Sequence, residues 1–169
     1  MKKPLIAVID DSSIIKEIVT HVLAEELGAQ VINFESAESA IREMKVYDPD
    51  VILLDYNLDS KSSNNMNGAQ FLRKLELIRK SPSVIMMSGQ KDKRVTADML
   101  KAGVVSYLPK DDEDFLDNLV NEVRLVLDVL HLNKRQKKQQ NDLRKRAIRI
   151  LSDILVPITI ALICLYCQA

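Results

Sequence analysis

The chain has 169 residues, 47% apolar and 28% charged, a balance that fits a globular protein with a full hydrophobic core and excludes a disordered chain. Its zero net charge is a cancellation. Residues 131–169 hold eight Lys/Arg and two Asp/Glu, which leaves residues 1–130 acidic, with 16 against 22. An acidic body disfavours broad nucleic-acid contact through that part, and two cysteines, both near the C-terminus, give no disulfide framework.

Strand-like and helix-like segments alternate along the chain. Met1-Lys2-Lys3-Pro4 leads into Leu5–Ile9, an apolar run too short for the core of a signal peptide, so the body is expected in the cytoplasm. Leu5–Ile9 reads as a strand. Ser12 or Ser13 can cap a helix that carries Ile14, Ile15, Ile18, Val22 and Leu23 and ends at Gly28. Gln30–Phe34 reads as a second strand, and Ser36 caps a helix to about Val46, before Asp48-Pro49. Val51–Leu54 is the third strand, followed by a polar loop over 59–67. A helix from Gly68 to about Lys80, a strand over Ser83–Met87, a helix over 92–102 stopped by Gly103, and a strand over Val104–Leu108 come next. From Asp112 a long helical pattern begins. Five βα units in tandem predict an α/β fold: a doubly wound, five-stranded parallel sheet with helices on both faces and a C-terminal helical extension.

Parallel strands bring their C-terminal ends to one edge, where open α/β sheets bind ligands. Asp10 and Asp11 follow the first strand, Asp55 the third, Ser88-Gly89 the fourth, and Tyr107-Leu108-Pro109-Lys110 ends the fifth. Three carboxylates in one place repel each other and call for a hard, oxygen-seeking cation of the Mg²⁺ type. A carboxylate beside such a cation, with a lysine, a hydroxyl and a glycine that leaves room, is suited to attack phosphorus and form an acyl phosphate.

In these motifs, over roughly 3–130, the sequence resembles the receiver domain of two-component response regulators, whose sheet is flavodoxin-like. The resemblance implies that Asp55 accepts a phosphoryl group from a phosphohistidine on a sensor kinase or phosphotransfer protein. It implies Mg²⁺ held by Asp10, Asp11, Asp55 and the backbone carbonyl of Asn57. Lys110 would pair with Asp55 and then with phosphoryl oxygens, Ser88 would bond one of those oxygens, and Tyr107 would change rotamer with Ser88. The Asn57 side chain and Gln90 stand where receivers tune the lifetime of the phosphoryl group. Such a domain is a switch read by a downstream protein effector, and is expected not to be an enzyme. The rival reading is a receiver-like interaction scaffold that is never phosphorylated.

Two departures from the family pattern border the site. The segment from Asp55 to Gly68 is longer than the usual short turn and is Ser/Asn-rich, and Asp111 replaces the proline that usually follows the lysine. A cis bond before a residue other than proline costs about 3 kcal/mol, so the turn at Asp111 is either trans and reshaped or strained. The run Asp111–Asp114 reads as a cap cluster for the following helix.

Residues 131–153 read as a basic helical linker, and residues 154–169 hold no charge. The apolar segment is expected to tether the domain to the inner face of a membrane, with the positive charges of Lys134–Arg149 on the cytoplasmic side. Pairing with a second copy as a homodimer and a truncated end are the alternatives. No nucleic-acid partner is expected, because the basic segment contains no aromatic residue and residues 131–169 are too few for a winged-helix output domain. His21 and His131 read as surface or half-buried histidines. Cys164 and Cys167 have CxxC spacing but no second pair, so acylation fits them better than metal. Met86-Met87 reads as strand core.

Overall fold

The buried apolar runs set the sheet. A computed structural model describes residues 2–44, 46–58, 66, 68–77, 82–89 and 103–167; from position 158 it describes the helical backbone alone. Five strands, β1 (Leu5–Ile9), β2 (Gln30–Phe34), β3 (Val51–Asp55), β4 (Ser83–Ser88) and β5 (Ser106–Pro109), form one sheet in the order β2-β1-β3-β4-β5. Every pairing is parallel. This is the flavodoxin-like doubly wound order, whose direction reverses between β1 and β3.

Strand composition follows position. β3 lies at the centre and all five of its residues are buried, so it reads as a continuous apolar run. β2 lies at the edge and tolerates exposed Gln30 and Asn33. Ile52, Leu53, Leu54, Ile85, Met86 and Met87 are fully buried, and truncating any of the aliphatic ones to alanine would cost about 2–5 kcal/mol.

Helix α1 (Ser13–Leu27) starts where the Ser12 hydroxyl accepts a hydrogen bond from the Ile15 N–H at 3.4 Å, and ends at Gly28 in the left-handed region, φ 58°. In α2 (Ala37–Glu43) the Ser36 hydroxyl caps the Ser39 N–H at 3.2 Å. Helix α3 (Gly68–Leu77) buries Phe71, Leu72 and Leu75. Helix α4 (Phe115–Cys167) buries Leu119, Val120, Val123, Val126 and Leu127, a spacing of three and four that puts them on one face.

Some bounds differ from expectation. The last strand begins at Ser106, where its pairing with Ile85 starts, and not at Val104, which follows directly on the turn at Gly103. Helix α2 stops at Glu43, three residues early, where Val46 and Tyr47 N–H groups both turn back to the Glu43 carbonyl. Helix α4 begins at Phe115, and Asp112 serves as its preceding turn, accepting the Phe115 N–H through its carbonyl and the Asp114 N–H through its side chain. The expected helix over 92–102, the loop over 59–65 and Gln90 lie outside the described residues.

The chain divides into two units, Met1–Asp128, which holds the sheet, and Val129–Ala169, which is helical through Cys167. The change expected at 153/154 does not interrupt that helix. Among the described residues no helix is long and apolar enough to cross a membrane. The side chains from 158 on, which carry most of the run expected to meet a membrane and both cysteines, lie outside the described residues.

Candidate functional site

The C-terminal ends of β1, β3, β4 and β5 converge because the strands are parallel and in register: Ile9 stands beside Leu54, Asp55 beside Met87, and Ser88 beside Pro109. The residue after each strand, or its last, is therefore a site residue. Asp10 follows β1, Asp55 ends β3, Ser88 ends β4 and Lys110 follows β5.

One carboxylate oxygen each from Asp10, Asp11 and Asp55 lies within 4.8 Å of the others. Asp10 and Asp55 are buried and Asp11 is exposed, so the cluster opens to solvent at Asp11. Lys110 Nζ reaches into the cluster and bridges two of the carboxylates, at 2.6 Å from Asp10 and 3.0 Å from Asp55. The sequence had pointed to Asp55 as its partner; the structure adds Asp10 at the shorter distance. Three carboxylates against one ammonium leave two negative charges over, the charge of one divalent cation. All the available donors are hard oxygens, so the residues fit Mg²⁺.

The backbone fixes the carboxylates. Asp10 accepts the Ser12 N–H at 2.9 Å, so its aim is tied to the start of α1. Asp55 accepts the Asn57 N–H at 3.2 Å. Burial pushes the Asp55 carboxyl above its usual range. The Lys110 charge and hydrogen bond pull it back down, Asp10 raises it, and the Asn57 N–H lowers it. A buried carboxylate whose charge is this poorly hydrated gains from any cation or proton it can take up.

Lys110 is placed by its own backbone: its N–H donates to the Ser88 carbonyl at 2.7 Å, so β4 and β5 stay joined past the last strand pair. No described peptide bond is cis. The turn at Lys110–Asp111 is therefore trans, with the Asp112 N–H donating to the Pro109 carbonyl, and of the two alternatives for the missing proline the reshaped turn holds. Ser88 is buried at the base of the site, and Tyr107 is half-buried against the core. Asn57 is exposed.

Two positions escaped the sequence reading. A Cβ on Gly68 would sit 3.4 Å from the Asp55 carbonyl oxygen and 3.6 Å from that of Tyr56, so α3 starts close against the site. Met66 is buried in the core, and its N–H donates to the Glu38 carboxylate at 2.5 Å, which ties the end of the long segment after Asp55 to α2. A lone acidic residue in a first helical turn gave no sign of that second task. His21, as expected, is on the surface, 3.3 Å from Glu25.

Comparison with known proteins agrees with this geometry. Residues 6–121 match the family described as the response regulator receiver domain. The chain is 30% identical over 123 residues to a protein-glutamate methylesterase/protein-glutamine glutaminase of Dechloromonas aromatica, covering 70% of this chain and 33% of that protein. It is 32% identical over 124 residues to the transcriptional regulatory protein DegU of Brevibacillus brevis, covering 72% and 49%. Among solved structures, a CheY-like response regulator receiver domain protein of Methanospirillum hungatei superposes with a TM-score of 0.68 at 21% identity, over 78% of this chain and 99% of that one. A Francisella response regulator receiver domain does so with 0.64 at 22%, over 73% and 96%. The chain thus spans a third to a half of the length of these curated relatives. They correct one expectation: relatives named as enzymes contain this same stretch, so a receiver-like body does not make the chain a non-enzyme. Nothing in the comparisons supports the scaffold that is never phosphorylated.

Proposed function

The chain belongs to the response regulator receiver domain family of two-component signalling, and on that premise we propose that Asp55 is its phosphoryl acceptor. The observation that carries this reading is the Asp10/Asp11/Asp55 cluster bridged by Lys110. An Asp55 carboxylate oxygen attacks the phosphorus of a phosphohistidine on a kinase or phosphotransfer protein. A P–O bond forms, the P–N bond breaks, and the imidazole leaves and takes up a proton. The product is an acyl phosphate on Asp55.

Asp10, Asp11, Asp55 and the Asn57 carbonyl would hold Mg²⁺, which supplies charge neutralisation for the phosphoryl oxygens. Lys110 turns from Asp55 to one of those oxygens and keeps its contact with Asp10. The Ser88 hydroxyl donates to another, and Tyr107 follows it, so a change at Asp55 reaches the outer surface of β5. This couples a local charge change to a two-state element. Asn57, and by position Gln90, set how fast water reaches the acyl phosphate. Residues 3–130 form the receiver, residues 131–153 a basic linker and residues 154–169 a membrane tether, and a protein effector reads the switch.

The test is incubation of the chain with Mg²⁺ and a small acyl phosphate donor, followed by intact-mass measurement. One phosphoryl addition that needs Mg²⁺ and disappears in Asp55→Asn supports the reading. No addition under these conditions removes it.

A further inference from the structure

Past Asn133, α4 keeps its helical backbone but changes chemistry. Lys134, Arg135, Lys137, Lys138, Arg144, Lys145, Arg146 and Arg149 are all exposed. Within the same stretch Leu143, Ile150, Leu151 and Ile154 are each more than half exposed, and Ala147 is exposed with them. Leu143, Ala147, Ile150, Leu151 and Ile154 stand at i, i+4, i+7, i+8 and i+11, which is one stripe of an α-helix. At 100° per residue the centre of the basic set falls on the opposite side. The helix is amphipathic here, with a basic polar face that the exposed Ile148 alone interrupts.

We propose that this stretch lies along an acidic phospholipid surface, with the stripe in the headgroup–acyl boundary and the lysines and arginines against the lipid phosphates. The inference rests on the tether reading above and names the lipid that it takes. Charge complementarity selects the occupant: the stretch 134–149 carries eight positive charges against Asp142 alone. A second copy fits less well. Traced toward the N-terminus at coiled-coil spacing, the stripe runs into Gln140, Gln136 and Asn133, so no apolar seam continues through the basic segment. Two such helices would also bring like charges together. A basic face opposite an apolar stripe is the pattern of helices that lie in the plane of the interface.

The full chain is floated with vesicles of pure phosphatidylcholine and with vesicles holding about a third phosphatidylglycerol, at low and high salt. Strong binding to the acidic vesicles, weak binding to the neutral ones, and loss with salt are expected. Replacing Lys137, Lys138, Arg144 and Lys145 together by glutamine should weaken binding at least tenfold, since each basic residue near such a surface contributes about a fivefold factor. Helical circular dichroism of that variant should match the parent. Equal, salt-insensitive binding to both vesicles would keep the tether and overturn the lipid preference. Binding to neither would overturn both, and so would concentration-dependent self-association or retention on duplex DNA in its place.

Discussion

Replacing Lys110 by methionine keeps most of the side-chain volume and removes the one cation that the described site holds. The ammonium is 2.6 Å from Asp10 and 3.0 Å from Asp55, and all three groups are largely buried. A unit charge pair at about 4 Å interacts by about 4 kcal/mol at an effective dielectric near 20, so two pairs give a gross attraction of about 8. The desolvation of the ammonium, no longer required, returns part of that. Breaking a buried ion pair from one side typically costs about 3–5 kcal/mol, and the lower end fits here because the cluster opens to water at Asp11. That is a large part of the 5–15 kcal/mol that holds a domain. Urea unfolding of Lys110→Met without Mg²⁺ should therefore show a loss of about 3 kcal/mol at neutral pH. The loss should shrink as pH falls. Asp55 is already raised by burial, removal of the lysine raises it further, and below that raised value the folded state takes up the proton that relieves it. Added Mg²⁺ should stabilise Lys110→Met more than the parent, because two carboxylates are freed for it. A loss below about 0.5 kcal/mol, with an unchanged Mg²⁺ response, would refute the idea that Lys110 neutralises this cluster.

Other outcomes follow from the same geometry. Asp55→Asn should stabilise the metal-free protein. A folded value above the unfolded one means stability is present at acid pH and is lost as pH rises through the folded value, so the gain, read by thermal unfolding, should be largest at neutral pH and vanish below about pH 3. Ser88→Ala should leave the fold within about 1 kcal/mol and slow phosphoryl acceptance by about tenfold or more in a single-turnover assay. Glu38→Ala should cost about 1–2 kcal/mol by urea unfolding, because it strands the buried Met66 N–H. Gly28→Ala should cost about 1 kcal/mol in the same assay, since φ at that position is 58°.

The sheet was legible because its central strands are covered on both faces and so are written as unbroken apolar runs, Val51–Leu54 above all. The site was legible because parallel strands put the residue after each run at one edge, which made Asp10, Asp55 and Lys110 readable from position alone. Strand five was placed two residues early because Val104-Val105 are β-branched and read as strand, whereas the turn at Gly103 delays pairing with the neighbouring strand until Ser106. The contact between Lys110 and Asp10 was not readable, since an ammonium on a long side chain can reach several neighbours and burial decides among them. Glu38 was missed because a hydrogen bond to a backbone N–H 28 residues away leaves no pattern in the sequence. The stripe Leu143–Ile154 escaped because it begins inside the basic segment, and an apolar run beginning at Ile154 shows only its end.

The most direct measurement is to trap the acyl phosphate where it forms. After reaction with a small acyl phosphate and Mg²⁺, borohydride reduces a carboxyl phosphate to an alcohol, and peptide mass spectrometry locates the reduced side chain. The account predicts reduction at Asp55, dependent on Mg²⁺ and absent from Asp10 and Asp11. Reduction at another carboxylate, or none anywhere in a folded and Mg²⁺-responsive chain, would contradict it.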